Sequence, residues 1–170
     1  NSRLPYAVVK NVGESFLRSY KQEFDLDYTI FRFFNTYGPK QSQDFVMSKF
    51  INAAVNGKDI TIYGDGSQTR TFCYRLDNVD ACANAFYNNL HVNDTVNIGS
   101  DYEVSVLELA QMIIEITNSK SKIVYLPPLK EGDMTRRKPD IAKMRDLLGR
   151  ELTTIPDGIR KTIESNQYHY

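Results

Sequence analysis

A nearly continuous apolar segment, residues 28–34 (YTIFRFF), follows a long amphipathic segment, and this order constrains the fold of the chain. Residues 6–24 repeat their apolar side chains at helical spacing, with Pro5 where helices accept proline. Apolar side chains at successive positions are typical of a parallel strand covered on both faces. We therefore predict a helix followed by a buried strand of an α/β fold. Ligands bind at the carboxyl ends of strands in such folds, so the loop at residues 35–39 is a candidate site.

The rest of the chain alternates short strands and helices. Ser105 followed by Glu108 matches a capping box, Asp77 is a predicted helix cap, and Gly57 and Gly149 end two helices. Predicted strands lie at 60–63, 69–74, 96–99 and 123–126, and predicted helices at 44–56, 77–90, 105–116, 141–148 and 156–165.

Composition argues against several classes of function. The 21 Lys and Arg residues offset 21 Asp and Glu residues, so no overall charge attracts nucleic acid or an anionic membrane. No apolar run approaches the ~20 residues of a membrane span, and the first residues lack a signal-peptide pattern. Cys73 and Cys82 lack metal-ligand spacing and favour a reducing cytoplasm, and we interpret the isolated His91 and His169 as packing or surface residues.

Tyr6 and Lys10 form a candidate reactive pair. They are four residues apart on the first predicted helix, so they share one face with about 6 Å between Cβ atoms. An ammonium beside a phenol favours the phenolate, which suits acid/base chemistry. The same spacing occurs by chance in amphipathic helices, and alone it also fits a core tyrosine beside a solvated lysine.

Five motifs together resemble the second half of the extended short-chain dehydrogenase/reductases, specifically nucleotide-sugar epimerases, dehydratases and decarboxylases. They are YAVVK at 6–10, RFFNTYGP at 32–39, IYGDGSQTR at 62–70, VNIG at 96–99 and RKPD at 137–140. The resemblance implies an α/β fold that is the C-terminal part of a Rossmann-like protein with a small mixed α/β substrate-binding domain. Residues 1–40 would end the NAD domain. Residues 41–170 would mainly form the nucleotide-sugar-binding domain, with short returns to the first.

The resemblance also implies catalytic roles. Tyr6 would be the acid/base that moves the proton of a sugar hydroxyl, while NAD takes a hydride from the same carbon. Lys10 would hydrogen-bond the nicotinamide ribose and favour ionisation of the phenol. Asn35 would donate its side-chain amide to the diphosphate, or, on a structural interpretation, cap the turn before Gly38.

Further residues would hold the nucleotide. The resemblance places Ile62, Tyr63 and Gly64 at the nucleobase slot. Arg70 and Arg137 would clamp the diphosphate, with Arg136 as a substitute, and Gln68 and Asp140 would position neighbouring groups. Single arginines are usually surface cations, residues 64–67 could be a simple hairpin turn, and Asp140 could cap the helix after it. Residues 127–139 form a long irregular segment with four cations, a length that is usually functional.

Two features depart from the resemblance. Arg75 stands where relatives usually carry an aliphatic residue, and a charge at an apolar strand end is costly unless it reaches water or a partner. No Gly-x-x-Gly-x-x-Gly loop occurs, and the Ser/Thr that accompanies the Tyr/Lys pair has no room before Tyr6. We therefore expect the chain to correspond to the C-terminal half of a longer enzyme.

The predicted function follows from the resemblance. The parent enzyme would use NAD to convert a UDP- or dTDP-linked sugar by epimerisation, dehydration or decarboxylation. YAVVK is closer to epimerases and dehydratases, whereas RKPD is closer to decarboxylases, so the reaction stays open. The alternative is a nucleotide-sugar-binding module without activity. In the whole enzyme the helix at 6–24 would pack into a four-helix bundle of a cytoplasmic homodimer, without nucleic acid, membrane or metal.

Overall fold

The computed structural model describes residues 3–128 and 138–165. The described elements, in chain order, are α1 (Arg3–Phe24), β1 (Thr29–Phe33), β2 (Thr36–Tyr37), α2 (Val46–Val55), β3 (Ile60–Tyr63), β4 (Thr69–Thr71), β5 (Cys73–Tyr74), α3 (Arg75–Tyr87), β6 (Asp94–Ile98), β7 (Glu103–Ser105), α4 (Val106–Thr117), β8 (Ile123–Leu126), α5 (Ala142–Leu148) and α6 (Ile155–Glu164). The predicted α/β class is confirmed. None of these helices is long and apolar enough to cross a membrane.

The described strands pair two by two. β1 pairs with β6, β2 with β5 and β3 with β8, all parallel, whereas β4 and β7 are antiparallel. Phe33 at the end of β1 lies opposite Ile98 at the end of β6. The loops that leave β1 and β6 therefore start at the same edge of the ladder, as the parallel arrangement requires.

The predicted helix ends are mostly confirmed. The Ser105 hydroxyl accepts the Glu108 N–H, and the Glu108 carboxylate accepts the Ser105 N–H, which completes the predicted capping box. Gly149 ends α5 in the left-handed conformation that glycine adopts without steric cost. The Thr154 side chain caps α6 by accepting the Asp157 N–H.

Two hydrophobic clusters make the core. The first joins β2, α2, β3, α4 and α6 around Tyr37, Ile62 and Leu109. The second joins α3, β6 and α5 around Val96 and Met144. Segment 72–74 contributes to both, because successive strand side chains point to opposite faces. Its Phe72 and Tyr74 side chains belong to the first cluster and its Cys73 side chain to the second. The domain division at residue 40 stays a prediction.

Three predictions about the strands need correction. Residues 69–74 form two strands, since β4 pairs with β7 and β5 pairs with β2. Residues 64–67 do not close a hairpin, because β3 pairs with β8 and so the flanking strands have different partners. β1 is not covered on both faces. Ile30 is buried, but Phe33 is 58% exposed, because the described residues leave the end of this strand uncovered.

Asp77 is not the cap of its helix. α3 begins two residues earlier, at Arg75, and the Asp77 side chain is fully buried. Its carboxylate accepts hydrogen bonds from Arg150 Nη1 at 2.8 Å, the Thr153 N–H at 2.8 Å and the Thr153 hydroxyl at 2.9 Å. Asp77 therefore ties α3 to the segment between α5 and α6.

α1 stands out because most of its apolar side chains are exposed. Val9, Phe16 and Phe24 are each at least 60% exposed. A bidentate pair holds the helix to β1, with Arg32 Nε and Nη2 each 2.6 Å from the Glu14 carboxylate oxygens. This pair lowers the Glu14 pKa, chiefly through the hydrogen bond from Arg32.

Gly158 provides a test of the first cluster. A Cβ atom there would collide with the Tyr37 hydroxyl and lie 2.7 Å from Tyr37 Cζ, and Tyr37 is only 1% exposed. Gly158→Ala should therefore lower the free energy of unfolding by about 1–3 kcal/mol in urea titrations. Gly13→Ala is the matched control, because a Cβ at this helical position meets nothing within 4 Å. It should leave stability unchanged or raise it by up to about 1 kcal/mol. Equal stability of the two variants would contradict this packing.

Cys73 provides a test of the second cluster. Burial, and then the nearby Asp77 carboxylate, raise the pKa of the Cys73 thiol to about 12 from an ordinary value of 9.0. At pH 8 the folded chain should therefore hold roughly a thousandfold less Cys73 thiolate than the unfolded chain. In a Cys82→Ser variant, which leaves Cys73 as the one thiol, a disulfide reagent should react slowly in buffer and fast in urea. Similar rates in both solvents would show that Cys73 is not buried.

Candidate functional site

A cleft of about 530 Å³ opens where β1 ends, at the loop that the sequence singled out. Its wall is formed by the loop itself, by the start of α2 and by two residues around β5. The lining residues are Phe33, Asn35, Thr36, Tyr37, Gly38, Pro39, Lys40, Gln41, Ser42, Phe45, Val46, Met47, Phe72 and Arg75. The position agrees with the rule that ligands bind beyond the carboxyl ends of parallel strands.

Asn35 fixes the start of this loop. It takes a left-handed backbone conformation, with φ of 38°, and its carbonyl accepts the Cys73 N–H at 3.1 Å. Its side-chain amide donates to the Thr71 carbonyl at 2.9 Å. The amide group thus bonds across to the strand segment, and not to the turn at Gly38. An amide nitrogen carries two hydrogens, so one donor remains for a ligand.

Gln41 holds the far end of the loop. Its amide nitrogen donates to the Thr36 carbonyl at 2.6 Å, and its amide oxygen accepts the Ser48 hydroxyl at 2.8 Å. Ser48 is buried on α2. The loop is therefore fastened to both β5 and α2, which holds the cleft open without a ligand.

The predicted nucleobase segment lies at the end of β3. Ile62 is buried in the first cluster, so its side chain faces the core and only its backbone can face a ligand. Tyr63 points outward and is 41% exposed, and Lys49 Nζ lies 5.8 Å from its ring centroid. Gly64 has φ of 73°, in the region that favours glycine. The Gln68 side chain donates to the Tyr63 carbonyl at 3.2 Å and steadies this turn.

Arg70 lies in the middle of β4, directly before Thr71. Its Nη1 donates to the Thr69 carbonyl at 2.6 Å, and the residue is half-buried. Thr71, next along the strand, is the residue whose carbonyl accepts the Asn35 amide. The Asn35 side chain is thus bonded to the residue that follows Arg70, although the two predicted diphosphate contacts are 35 residues apart in the sequence.

Arg136 and Arg137 lie outside the described residues, so their predicted roles stay predictions. The next residue, Lys138, is described, and its Nζ lies 3.9 Å from the Glu103 carboxylate. Glu103 is the β7 partner of Thr71 in the antiparallel pair.

Asp140 lies one residue before the N-cap of α5, which is Ile141, so its structural interpretation as the N-cap is wrong by one position. Its carboxylate accepts the Ala142 N–H at 3.0 Å, and its carbonyl accepts the Asn97 side-chain amide at 3.0 Å. These bonds fix Asp140, the last residue of the RKPD motif, against the end of β6. The predicted ligand-positioning role of Asp140 stays a prediction.

Tyr6 and Lys10 lie one turn apart on α1. Lys10 Nζ is 5.4 Å from the centroid of the Tyr6 ring, within the range of a contact between a cation and a ring face. Tyr6 is 68% exposed, so the alternative of a core tyrosine is wrong. The phenol is accessible to a ligand. Within the described residues, no hydrogen bond joins this pair to the cleft.

Arg75 is the first residue of α3, not the end of a strand, and it forms one wall of the cleft. Its Nη1 donates to the Pro39 carbonyl at 3.0 Å. Its Nε is buried and has no hydrogen-bond partner among the described residues. Among the described residues, the Pro39 carbonyl is therefore the hydrogen-bond partner of the Arg75 guanidinium.

Sequence reasoning missed one wall of the cleft. Residues 40–42 and 45–47 line it, but their types are ordinary for a loop that leads into a helix. The one available signal in the sequence was an apolar residue, Phe45, at the start of a predicted helix. In the structure Phe45 lies directly before α2 and is 59% exposed. Among the residues that the structure describes, no three His, Cys, Asp or Glu side chains converge to hold a metal.

Comparison with known proteins gives three informative matches and one family model. The model described as NAD dependent epimerase/dehydratase family matches residues 1–99. The UDP-N-acetyl-alpha-D-glucosaminuronate decarboxylase of Bacillus cytotoxicus is 38% identical, over 85% of this chain and 47% of its own length. The crystal structure of UDP-glucose 4-epimerase from Thermotoga maritima with UDP-glucose matches with a TM-score of 0.86 at 32% identity, over 94% of this chain and 52% of the epimerase.

A third match involves an acidic sugar. The structure of UDP-glucuronic acid 4-epimerase from Bacillus cereus, in complex with UDP-glucuronic acid and NAD, gives a TM-score of 0.84 at 28% identity. The match covers 98% of this chain and 53% of that epimerase. The chain thus spans about half the length of the proteins that it matches. Both decarboxylases and epimerases occur among these proteins.

Proposed function

This chain belongs to the NAD dependent epimerase/dehydratase family, and from that premise we propose that it carries the nucleotide-sugar-binding half of an NAD-dependent enzyme. The ligand is a UDP-linked sugar, and the reaction passes through a keto-sugar. The family match and the α/β fold support the general class of enzyme. The assignment of ligand groups to residues is ours.

The observation that carries the proposal is the hydrogen bond from the Asn35 amide to the Thr71 carbonyl. It places the remaining amide donor of Asn35 beside the strand that carries Arg70. A diphosphate offers anionic oxygens on both sides of its bridging oxygen, so an amide and a guanidinium on adjacent segments suit it. Hydrogen bonds to charged groups contribute about 1.5–3 kcal/mol each.

The nucleobase then lies toward the end of β3. The exposed Tyr63 ring provides an apolar surface on which a base can stack, and the positive φ of Gly64 turns the backbone away from it. The Gln68 bond to the Tyr63 carbonyl keeps this turn in place before any ligand binds. Preorganisation of this kind lowers the entropic cost of binding.

Tyr6 is the acid/base of the proposed reaction, and NAD supplies a hydride acceptor when it is bound. The residues fit such a cofactor contact, because the phenol and the Lys10 ammonium are neighbours on an exposed helix face. The Tyr6 phenolate takes the proton from a sugar hydroxyl and later returns it. The Lys10 ammonium donates to the ribose.

The second candidate function is binding of a nucleotide sugar without catalysis. The same cleft and the same Asn35 and Arg70 contacts serve it, so the two candidates differ only in the use of Tyr6 and Lys10. The choice among epimerisation, dehydration and decarboxylation stays open.

Replacement of Arg70 tests the diphosphate contact. The isolated 170-residue chain should bind UDP weakly and saturably, and Arg70→Ala should weaken that binding by about tenfold or more because a charged contact is lost. Titration followed by NMR, with signals near Tyr63, measures both constants. Added salt should reproduce part of the loss, since it screens the same charge.

Arg160→Ala is the control for this experiment. Arg160 is exposed on α6 and pairs with Asp157, so its loss removes the same side chain far from the proposed contact. UDP affinity should not change in this variant. If Arg70→Ala keeps its fold and binds UDP as well as the parent, the diphosphate assignment is wrong.

We infer further that α1 is an association surface. Its exposed apolar stripe includes Val9, Phe16 and Phe24, and contiguous apolar patches beyond a few hundred Å² rarely stay in contact with water. The chain should therefore elute as a dimer or larger species in size-exclusion chromatography with light scattering. Phe16→Glu should shift it to the monomer. Val79→Glu, at a position 57% exposed on α3, should leave the association unchanged. A monomeric parent at high concentration would rule this surface out.

A further inference from the structure

We propose that Arg75 binds a carboxylate on the sugar of the nucleotide-sugar ligand, and so selects an acidic sugar. The inference rests on the proposed function, because it takes the cleft at the end of β1 as the place where the sugar lies. It concerns a residue that the diphosphate and nucleobase contacts leave unused.

The Arg75 side chain is held along the loop of the cleft. A Cβ atom at Gly38 would lie 3.0 Å from both Cγ and Cδ of Arg75, so the absence of a side chain at Gly38 makes room for the arginine stem. The Pro39 carbonyl accepts a hydrogen bond from Nη1 at 3.0 Å. These two contacts fix the direction of the guanidinium before a ligand binds.

The charge of Arg75 is not neutralised within the described chain. No carboxylate among the described residues forms an ion pair with it, and its buried Nε has no partner there. A guanidinium carries five N–H donors, and Pro39 accepts only one of them. The residue is half-buried, and partial burial of an uncompensated charge has a cost, which an anion that enters the cleft would offset.

The charge of the cleft lining favours an anionic ligand. Arg75 is a cation of this lining that has no ion pair among the described residues, and no Asp or Glu of the described chain lines the cleft. The protein has no net charge, so this positive character is local. Local positive charge in a low-dielectric cleft attracts anionic groups more strongly than the same charge on an open surface.

The position of the cleft indicates which part of the ligand the anion belongs to. Asn35, the proposed diphosphate donor, lines the cleft, whereas Tyr63, Gln68 and Arg70 do not. The nucleobase side of the ligand is therefore outside the cleft. In a nucleotide sugar the diphosphate lies between the nucleoside and the sugar. The group inside the cleft is therefore the sugar. A carboxylate matches a guanidinium with two parallel hydrogen bonds, and neutral sugar hydroxyls cannot match this charge.

Three ligands and one substitution test the proposal in the 170-residue chain. UDP, UDP-glucose and UDP-glucuronic acid are titrated into the parent and into Arg75→Met, with calorimetry or NMR. The parent should prefer UDP-glucuronic acid over UDP-glucose by about tenfold or more, as expected for a charged bidentate contact. Arg75→Met should remove this preference and change the affinity for UDP and UDP-glucose by less than about twofold. Arg160→Met is the matched control and should keep the preference.

The outcomes separate this proposal from the proposed function. If Arg75→Met weakens all three ligands equally, Arg75 contacts the diphosphate, and the carboxylate proposal fails. If the parent binds UDP but does not prefer UDP-glucuronic acid, the proposal fails and the proposed function stands. If the parent binds none of the three ligands, both fail.

If Arg75→Met does not fold, a measurement on the chain without a substitution still tests the proposal. The Nε–H signal of Arg75 should shift in NMR spectra when UDP-glucuronic acid is added, and should stay in place with UDP-glucose. Equal shifts with the two sugars would overturn the proposal without any substitution.

Discussion

The site depends on the way in which Asn35 joins two distant segments. Its left-handed backbone turns the chain from β1 into β2, its carbonyl accepts the Cys73 N–H, and its amide donates to the Thr71 carbonyl. Backbone polar groups in a loop need such partners, because unpaired buried groups are costly. The same bonds that satisfy the loop also place the strand of Arg70 beside it. The bonds that hold the loop and the proposed diphosphate contact therefore involve the same residue.

The site also lies where the two hydrophobic clusters meet. Segment 72–74 sends Phe72 and Tyr74 to one cluster and Cys73 to the other, and Phe72 is itself part of the cleft wall. Tyr37 lines the cleft and is buried against α6 at Gly158. Because cores are close-packed, their side chains allow little displacement. The part of the cleft wall that Tyr37 and Phe72 form is thus held in place by the first cluster.

Local sequence signals predicted the described elements well and their partners poorly. Periodicity, the Ser105 capping box and the glycine at 149 located most helices, because these signals act within a few residues. The single strand expected at 69–74 was wrong, since which strand pairs with which depends on contacts far along the chain. Asp77 was wrongly predicted as a cap because its partners, Arg150 and Thr153, lie more than 70 residues away.

The candidate site was also predicted only in part. The resemblance to extended short-chain dehydrogenase/reductases is confirmed by the family match, and the loop at residues 35–39 does open a cleft. The loop was predictable because it follows a strand, whereas the wall at 40–47 was not, since its residues become neighbours of Arg75 only in the fold. Motifs that many enzymes share serve the groups that all their ligands share, above all the diphosphate. The features that separate one sugar from another must then come from positions outside the motifs, and a residue that breaks a family pattern is where such selectivity is to be sought. A half-buried guanidinium in place of an aliphatic side chain is costly to retain, and a ligand that compensates its charge is the physical reason that would offset this cost.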